Sequence, residues 1–153
     1  MSDRELFRLG VVEIVDGLSA GAFRADDVVQ SCLARIADRD PAIGAWVEVG
    51  AEQVLAQAAR DAEMEGALRG VPFGVKDVID TSDMATQMGS RLYEGSRPRY
   101  DAGVVGQLRQ AGAIALGKRA TCEFAGTEPT ATANPLAPGR TPGGSSSGSA
   151  AAV

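Results

Sequence analysis

The apolar positions of the first third of the chain repeat at helical spacing. From about Glu5 to Ala20, Leu6, Leu9, Val12, Ile14, Val15 and Leu18 predict an amphipathic helix, with Gly17 and Gly21 loosening its end. A second helix is predicted from Asp26-Asp27, whose carboxylates suit the positive end of a helix. Val28, Val29, Cys32, Leu33 and Ile36 share its apolar face, and Asp40-Pro41 is expected to stop it. Residues Ile43 to Val49 alternate like a short strand. Ala51 to about Glu65 is alanine-rich and charged, a third helix with a solvated face. Gly66 and Gly70 mark loops.

The pattern changes at Gly70. Gly70-Val71-Pro72-Phe73-Gly74-Val75-Lys76-Asp77-Val78-Ile79 reads as a buried strand with one lysine inside it. Lysine seldom sits in such a run without a partner. Lys76 is therefore either held by one or snorkels to water from an exposed strand end. Asp77 could orient Lys76, or is an exposed structural carboxylate. Thr81 to Tyr100 reads as loop. Asp101 is expected to cap a helix carrying Val104, Val105, Leu108 and Ala111, ended by Gly112. Ala113 to Gly117 reads as a second buried strand, followed by Lys118 as a surface charge. Strand, helix and strand make an α/β pattern with a parallel crossover. Cys122 reads as a buried, inert thiol.

Near the end, Thr141-Pro142-Gly143-Gly144-Ser145-Ser146-Ser147-Gly148 sets three serines between glycines, ahead of the first turn of a helix at Ala150 to Val153. Such a loop suits anion binding or nucleophile chemistry, and it equally fits a flexible linker. Ser146 and Ser147 are expected to cap the helix or to hydrogen-bond within the loop.

Composition narrows the chemistry. With 153 residues and 44% hydrophobic content, the chain suits one globular domain. No apolar run approaches the roughly 18 residues that cross a bilayer, so no membrane partner is expected. The mixed-sign start Met1-Ser2-Asp3-Arg4-Glu5 does not read as a signal peptide. A net charge of −5 without a basic stripe argues against nucleic acid as a partner. Cys32 and Cys122 read as reduced thiols of a cytoplasmic protein. Histidine is absent, which excludes any Ser-His-Asp site built from this chain and speaks against a metal centre. No cofactor is expected. An activated serine here needs a lysine or a carboxylate as its base.

The motifs together are specific. The stretch Gly70 to Asp77 resembles the lysine motif of the amidase signature family. Asp101 to Ile114 is similar to that family's next helix and strand. Gly117-Lys118, Glu123-Phe124-Ala125-Gly126 and Asn134-Pro135 follow in the family's order, and Thr141 to Val153 resembles the first half of its glycine/serine signature. The resemblance is loose over the N-terminal helices and close from Gly70 on. It implies an α/β fold: N-terminal helices, then the first strands of a mixed central sheet flanked by helices. Residues 1–153 would be the N-terminal part of a single domain, with 1–66 a mainly helical lead-in and 67–153 the start of the catalytic core.

The family hydrolyses amides through a Ser-Ser-Lys triad and an acyl-enzyme. By position, Lys76 resembles its base and Ser145 its bridging serine, which follows a cis peptide bond at Gly144-Ser145, with Gly143, Gly144 and Ser146 as loop support. A serine hydroxyl is a weak nucleophile until its proton is taken, and a neutral lysine can take it. Desolvation favours that neutral form. The family's acylated serine and oxyanion hole lie about two dozen residues beyond the bridging serine, past Val153, so the chain reads as truncated and, alone, inactive. The expectation is thus an amidase acting on a small linear carboxamide, with a homodimer compatible. One alternative is the amidase subunit of a tRNA-dependent amidotransferase. Against it, Arg119-Ala120-Thr121-Cys122 stands where that subunit has Thr-Asn-Met, and three serines follow Gly143-Gly144 instead of Ser-Ser-Gly-Gly. A catalytically inert interaction module is the alternative from another class.

Overall fold

The computed structural model describes residues 5–60 and 65–153. Among them the order is α1 (Val11–Ser19), α2 (Ala25–Ile43), β1 (Trp46–Val49), α3 (Ala51–Ala58), β2 (Pro72–Lys76), α4 (Gly103–Gln110), β3 (Ile114–Arg119) and α5 (Ser147–Ala152). The strands form one sheet in the order β1-β3-β2. β1 runs antiparallel to β3, and β2 runs parallel to it, reached through α4. This is the mixed α/β sheet with flanking helices that the sequence predicts.

Each face of the sheet carries its own apolar cluster. Ile14, Leu18, Val28, Val29 and Val54 pack with Ile114 and Leu116 on one side. Val75, Met84 and Val105 pack with Ala115 on the other. The register steps from Phe73↔Ala115 to Gly74↔Gly117, so β3 carries one residue more than β2 at that point. This is a β-bulge, which re-aims the side chains beyond it. Past it, Lys118 pairs with Val75 and Arg119 with Lys76.

Several predicted boundaries move for identifiable reasons. The first predicted helix is split. A 3-10 turn at Leu6–Arg8 is followed by extended Gly10, which caps α1 with its N–H donating to Glu13 Oε2 at 2.7 Å. The restart buries Ile14 and Leu18 but turns Val12 outward, 71% exposed. α2 is not stopped at Asp40-Pro41; it runs on to Ile43 with Pro41 in its last turn. It ends where Gly44 turns left-handed, at φ +66°, and where Asp40 Oδ1 accepts the Ala45 N–H at 2.7 Å. The following strand therefore starts at Trp46, not at Ile43. α3 ends at Ala58, and the continuation expected through 61–64 lies outside the described residues. Asp101 does not cap α4, because its Oδ1 accepts from the Ser82 N–H at 2.7 Å and the Ser82 hydroxyl at 3.0 Å. β2 is shorter than predicted and only half-buried apart from Val75, as befits a strand at a sheet edge. Among the described residues no helix is long and apolar enough to cross a membrane.

The closing helix is docked through a glycine. The Gly148 N–H donates to Ala120 O at 2.9 Å, and a Cβ at Gly148 would fall 2.2 Å from Ala45 O. Gly148→Ala is therefore expected to destabilise the chain by about 1–3 kcal/mol through overpacking. A lower urea midpoint with an unchanged slope is the expected signature; an unchanged midpoint would mean that α5 does not seat against β3.

Candidate active site

Lys76 closes β2, and the chain between it and Ser145 folds so that the two side chains meet. Lys76 Nζ donates to Ser145 Oγ at 2.6 Å, across 69 residues of sequence. Both residues are half-buried. The loop that presents Ser145 is fixed at its backbone, since Ser145 O accepts the Cys122 N–H at 3.0 Å. The Gly144–Ser145 peptide bond is cis. Gly143 is left-handed at φ +93°, and a Cβ on Gly144 would come 2.7 Å from Cys122 Sγ, so the loop presses against that thiol. Cys122 is buried, as expected, with Sγ 3.9 Å from Ser147 Oγ.

Of the two alternatives expected for the other serines, capping or hydrogen-bonding within the loop, Ser147 takes the second. Ser146 stands at the N-cap of α5, but its side chain makes no cap hydrogen bond. Ser147 is buried and donates its hydroxyl proton to Gly143 O at 2.8 Å, tying the loop to itself. Arg119, next to Lys76 in register, lies over the Trp46 ring at 4.8 Å. Its side chain fills the space a Cβ on Gly74 would need. A cleft of about 500 Å³ opens between the loop around Gly89–Glu94 and the segment Ala120–Thr132; neither Lys76 nor Ser145 lines it.

Two residues are not where the sequence places them. Lys118 is no surface charge: it is 0% exposed, inside β3. Its Nζ donates to Thr86 Oγ1 at 2.6 Å and Ile79 O at 2.8 Å, and lies 3.5 Å from Thr81 Oγ1. Asp77 is no exposed carboxylate: it is 1% exposed, with Oδ1 3.7 Å from Lys118 Nζ and accepting the Gln87 N–H at 3.1 Å. Burial pushes the Asp77 carboxyl up from the ordinary carboxylate value and the Lys118 amine down from the ordinary lysine value. Each opposes the shift of the other. Asp77 Oδ2 has no hydrogen-bond partner. Lys118 sits in an apolar run just as Lys76 does, and the rarity of lysine in such runs is the signal that reveals it.

Comparison with known proteins places this mixed sheet, with its lysine–serine pair at the mouth of a glycine/serine loop, in a known family. The family model described as Amidase matches residues 27–153. The chain belongs to the amidase signature family. It is 43% identical over 162 residues to a glutamyl-tRNA(Gln) amidotransferase subunit from Anaeromyxobacter sp. (strain K), covering 98% of this chain and 33% of that protein. The like-named protein from Nitratidesulfovibrio vulgaris (strain DP4) is 45% identical over 158 residues, covering 97% and 32%. Among solved structures, native peptide amidase from Stenotrophomonas maltophilia superposes with a TM-score of 0.87 at 33% identity, covering 98% of this chain and 35% of that one. A 6-aminohexanoate cyclic dimer hydrolase gives 0.87 at 26% identity, covering 98% and 32%. The chain thus spans about a third of the length of the relatives it matches.

Proposed function

We propose that Lys76 and Ser145 form the proton relay of a carboxamide hydrolase whose acylated serine belongs to a later segment of a longer enzyme. The observation that carries this is the 2.6 Å contact between Lys76 Nζ and Ser145 Oγ. In this reading residues 1–153 are the N-terminal part of one amidase signature domain. Lys76 draws the proton from Ser145, which in turn takes the proton of the nucleophile as it attacks the amide carbonyl. Collapse of the tetrahedral species returns the proton along the same path to the departing amine. Water then repeats the sequence on the acyl-enzyme. Ser145 neither attacks nor leaves; in this reading it only carries a proton between Lys76 and the nucleophile.

Ser145→Ala in the complete enzyme is expected to lower kcat by about 10²–10⁴-fold, the usual contribution of positioned acid–base groups, with its unfolding temperature unchanged. Full turnover by that variant would remove Ser145 from the relay.

A second reading is favoured by the names of the curated relatives: this chain as part of the amidase component of a glutamyl-tRNA(Gln) amidotransferase. The expectation that no nucleic acid takes part therefore does not carry over. The run Arg119-Ala120-Thr121-Cys122 and the three serines at 145–147 remain departures from that component's pattern. Ammonia release from free carboxamides without tRNA supports the first reading. Turnover that depends on glutamyl-tRNA(Gln) and further subunits supports the second.

A further inference from the structure

The relay leaves the buried Lys118–Asp77 pair without a task. Lys118 lies on the opposite face of the sheet from Ser145, since it pairs with Val75 while Lys76 pairs with Arg119. Resting on the reading of Lys76 and Ser145 as a relay, we propose that Lys118 is its positioning residue: a buried cation around which the segment 77–90 is wound, so that both members of the pair are held from behind the sheet.

The connections can be followed bond by bond. Asp77 directly succeeds Lys76, and its carboxylate faces Lys118 at 3.7 Å. Two residues later the backbone returns to the same amine, through Ile79 O at 2.8 Å. The far limb returns once more through Thr86 Oγ1 at 2.6 Å. The limbs are then tied to each other, the Gln87 N–H donating to Asp77 Oδ1 and the Met88 N–H to Asp77 O at 2.8 Å. Lys76 is thereby held from its C-terminal side.

The same segment reaches Ser145. Met88 O accepts the Phe124 N–H at 2.8 Å, and the Ser90 hydroxyl donates to Glu123 Oε1 at 2.6 Å. The turn so fixed begins at Cys122, whose N–H donates to Ser145 O. One ammonium therefore anchors the support of both the amine and the hydroxyl. Lysine suits this place because its three donors find the Ile79 carbonyl and the Thr86 and Thr81 hydroxyls, while its charge faces the Asp77 carboxylate at 3.7 Å.

The test uses the isotopically labelled complete enzyme and reads the nuclear Overhauser cross-peak between Lys76 Hε and Ser145 Hβ. Removing Lys118 alone strands the buried carboxylate of Asp77, so the variant of choice is the double Asp77→Asn/Lys118→Met, which removes both charges. It is expected to keep the helical circular dichroism of the parent and to lose the cross-peak. A folded double variant that retains the cross-peak overturns the proposal. If the double variant does not fold, Thr86→Val keeps both charges and deletes one anchor; a weakened cross-peak supports the proposal and an undiminished one overturns it. A cross-peak missing from the parent chain overturns the relay and the positioning role together. The expected pattern combined with full turnover by Ser145→Ala would leave Lys118 as the holder of the pair while ending the relay reading.

Discussion

Lys76→Arg in the complete enzyme is expected to abolish amide turnover, with a fall in kcat/KM of about 10⁴-fold, the upper end of what a positioned acid–base group contributes. A guanidinium stays protonated at every pH the fold survives, so it cannot take a proton from Ser145. Its planar fork, with five donors on three nitrogens, also differs in shape from the single ammonium that makes the 2.6 Å contact. Lys76 is half-buried and keeps a positive charge as arginine, so the fold is expected to stand. Steady-state kinetics beside a thermal melt separate the two effects. Turnover within about tenfold of the parent (roughly 1.4 kcal/mol of barrier) would mean that another group is the base.

Lys118→Met, by contrast, is expected to act on stability first. It leaves the Asp77 carboxylate buried with no cation beside it, and breaking one half of a buried ion pair costs about 3–5 kcal/mol. The double variant with Asp77→Asn should recover most of that loss, since no uncompensated charge remains. The loss also depends on pH in a defined direction. Burial raises the Asp77 carboxyl in the folded state, and without Lys118 only the backbone N–H groups of Gln87 and Gly89 still oppose the rise. A raised folded value means that the native state holds the proton more tightly than the unfolded chain does. The penalty is therefore absent below the ordinary carboxylate value and grows as the pH climbs through the raised one. Relative to the parent, Lys118→Met should recover stability as the pH is lowered from 7 towards 4. Asp80 and Glu48, the other carboxylates that act on Lys118, are present in both proteins. Urea unfolding of both chains at several pH values checks this, and a difference independent of pH would mean that Asp77 is not the group left charged.

The proposed relay pair is legible in the sequence because the residue order from Gly70 to Val153 follows a family pattern, and the lysine and the glycine/serine loop announce themselves locally. The sheet is legible because β2 and β3 are apolar runs joined by a helical repeat. What stays hidden depends on partners far along the chain. Nothing near Lys118 hints at Thr86 or Ile79, which lie 32 and 39 residues away. Asp77 looks exposed because charged residues beside a strand end usually are. The split at Gly10 and the passage of α2 through Pro41 have a similar origin. In each, one carboxylate, of Glu13 or of Asp40, takes the free backbone amides at a helix end, and periodicity does not register that bond.

The extra residue of β3 bears on how this protein tolerates insertion and deletion. Ala115 and Lys118 stand three positions apart, yet the bulge brings both to the face shared with Phe73 and Val75. Strict alternation would put them on opposite faces. Deleting Leu116 would leave Ala115 and Lys118 two positions apart, so regular alternation alone would keep both on the face of Phe73 and Val75 and Lys118 opposite Val75. Arg119 would likewise stay with Lys76 on the other face. A three-nucleotide deletion at the bulge would therefore spare the charge layout of the sheet and give up mainly the packing of the Leu116 side chain.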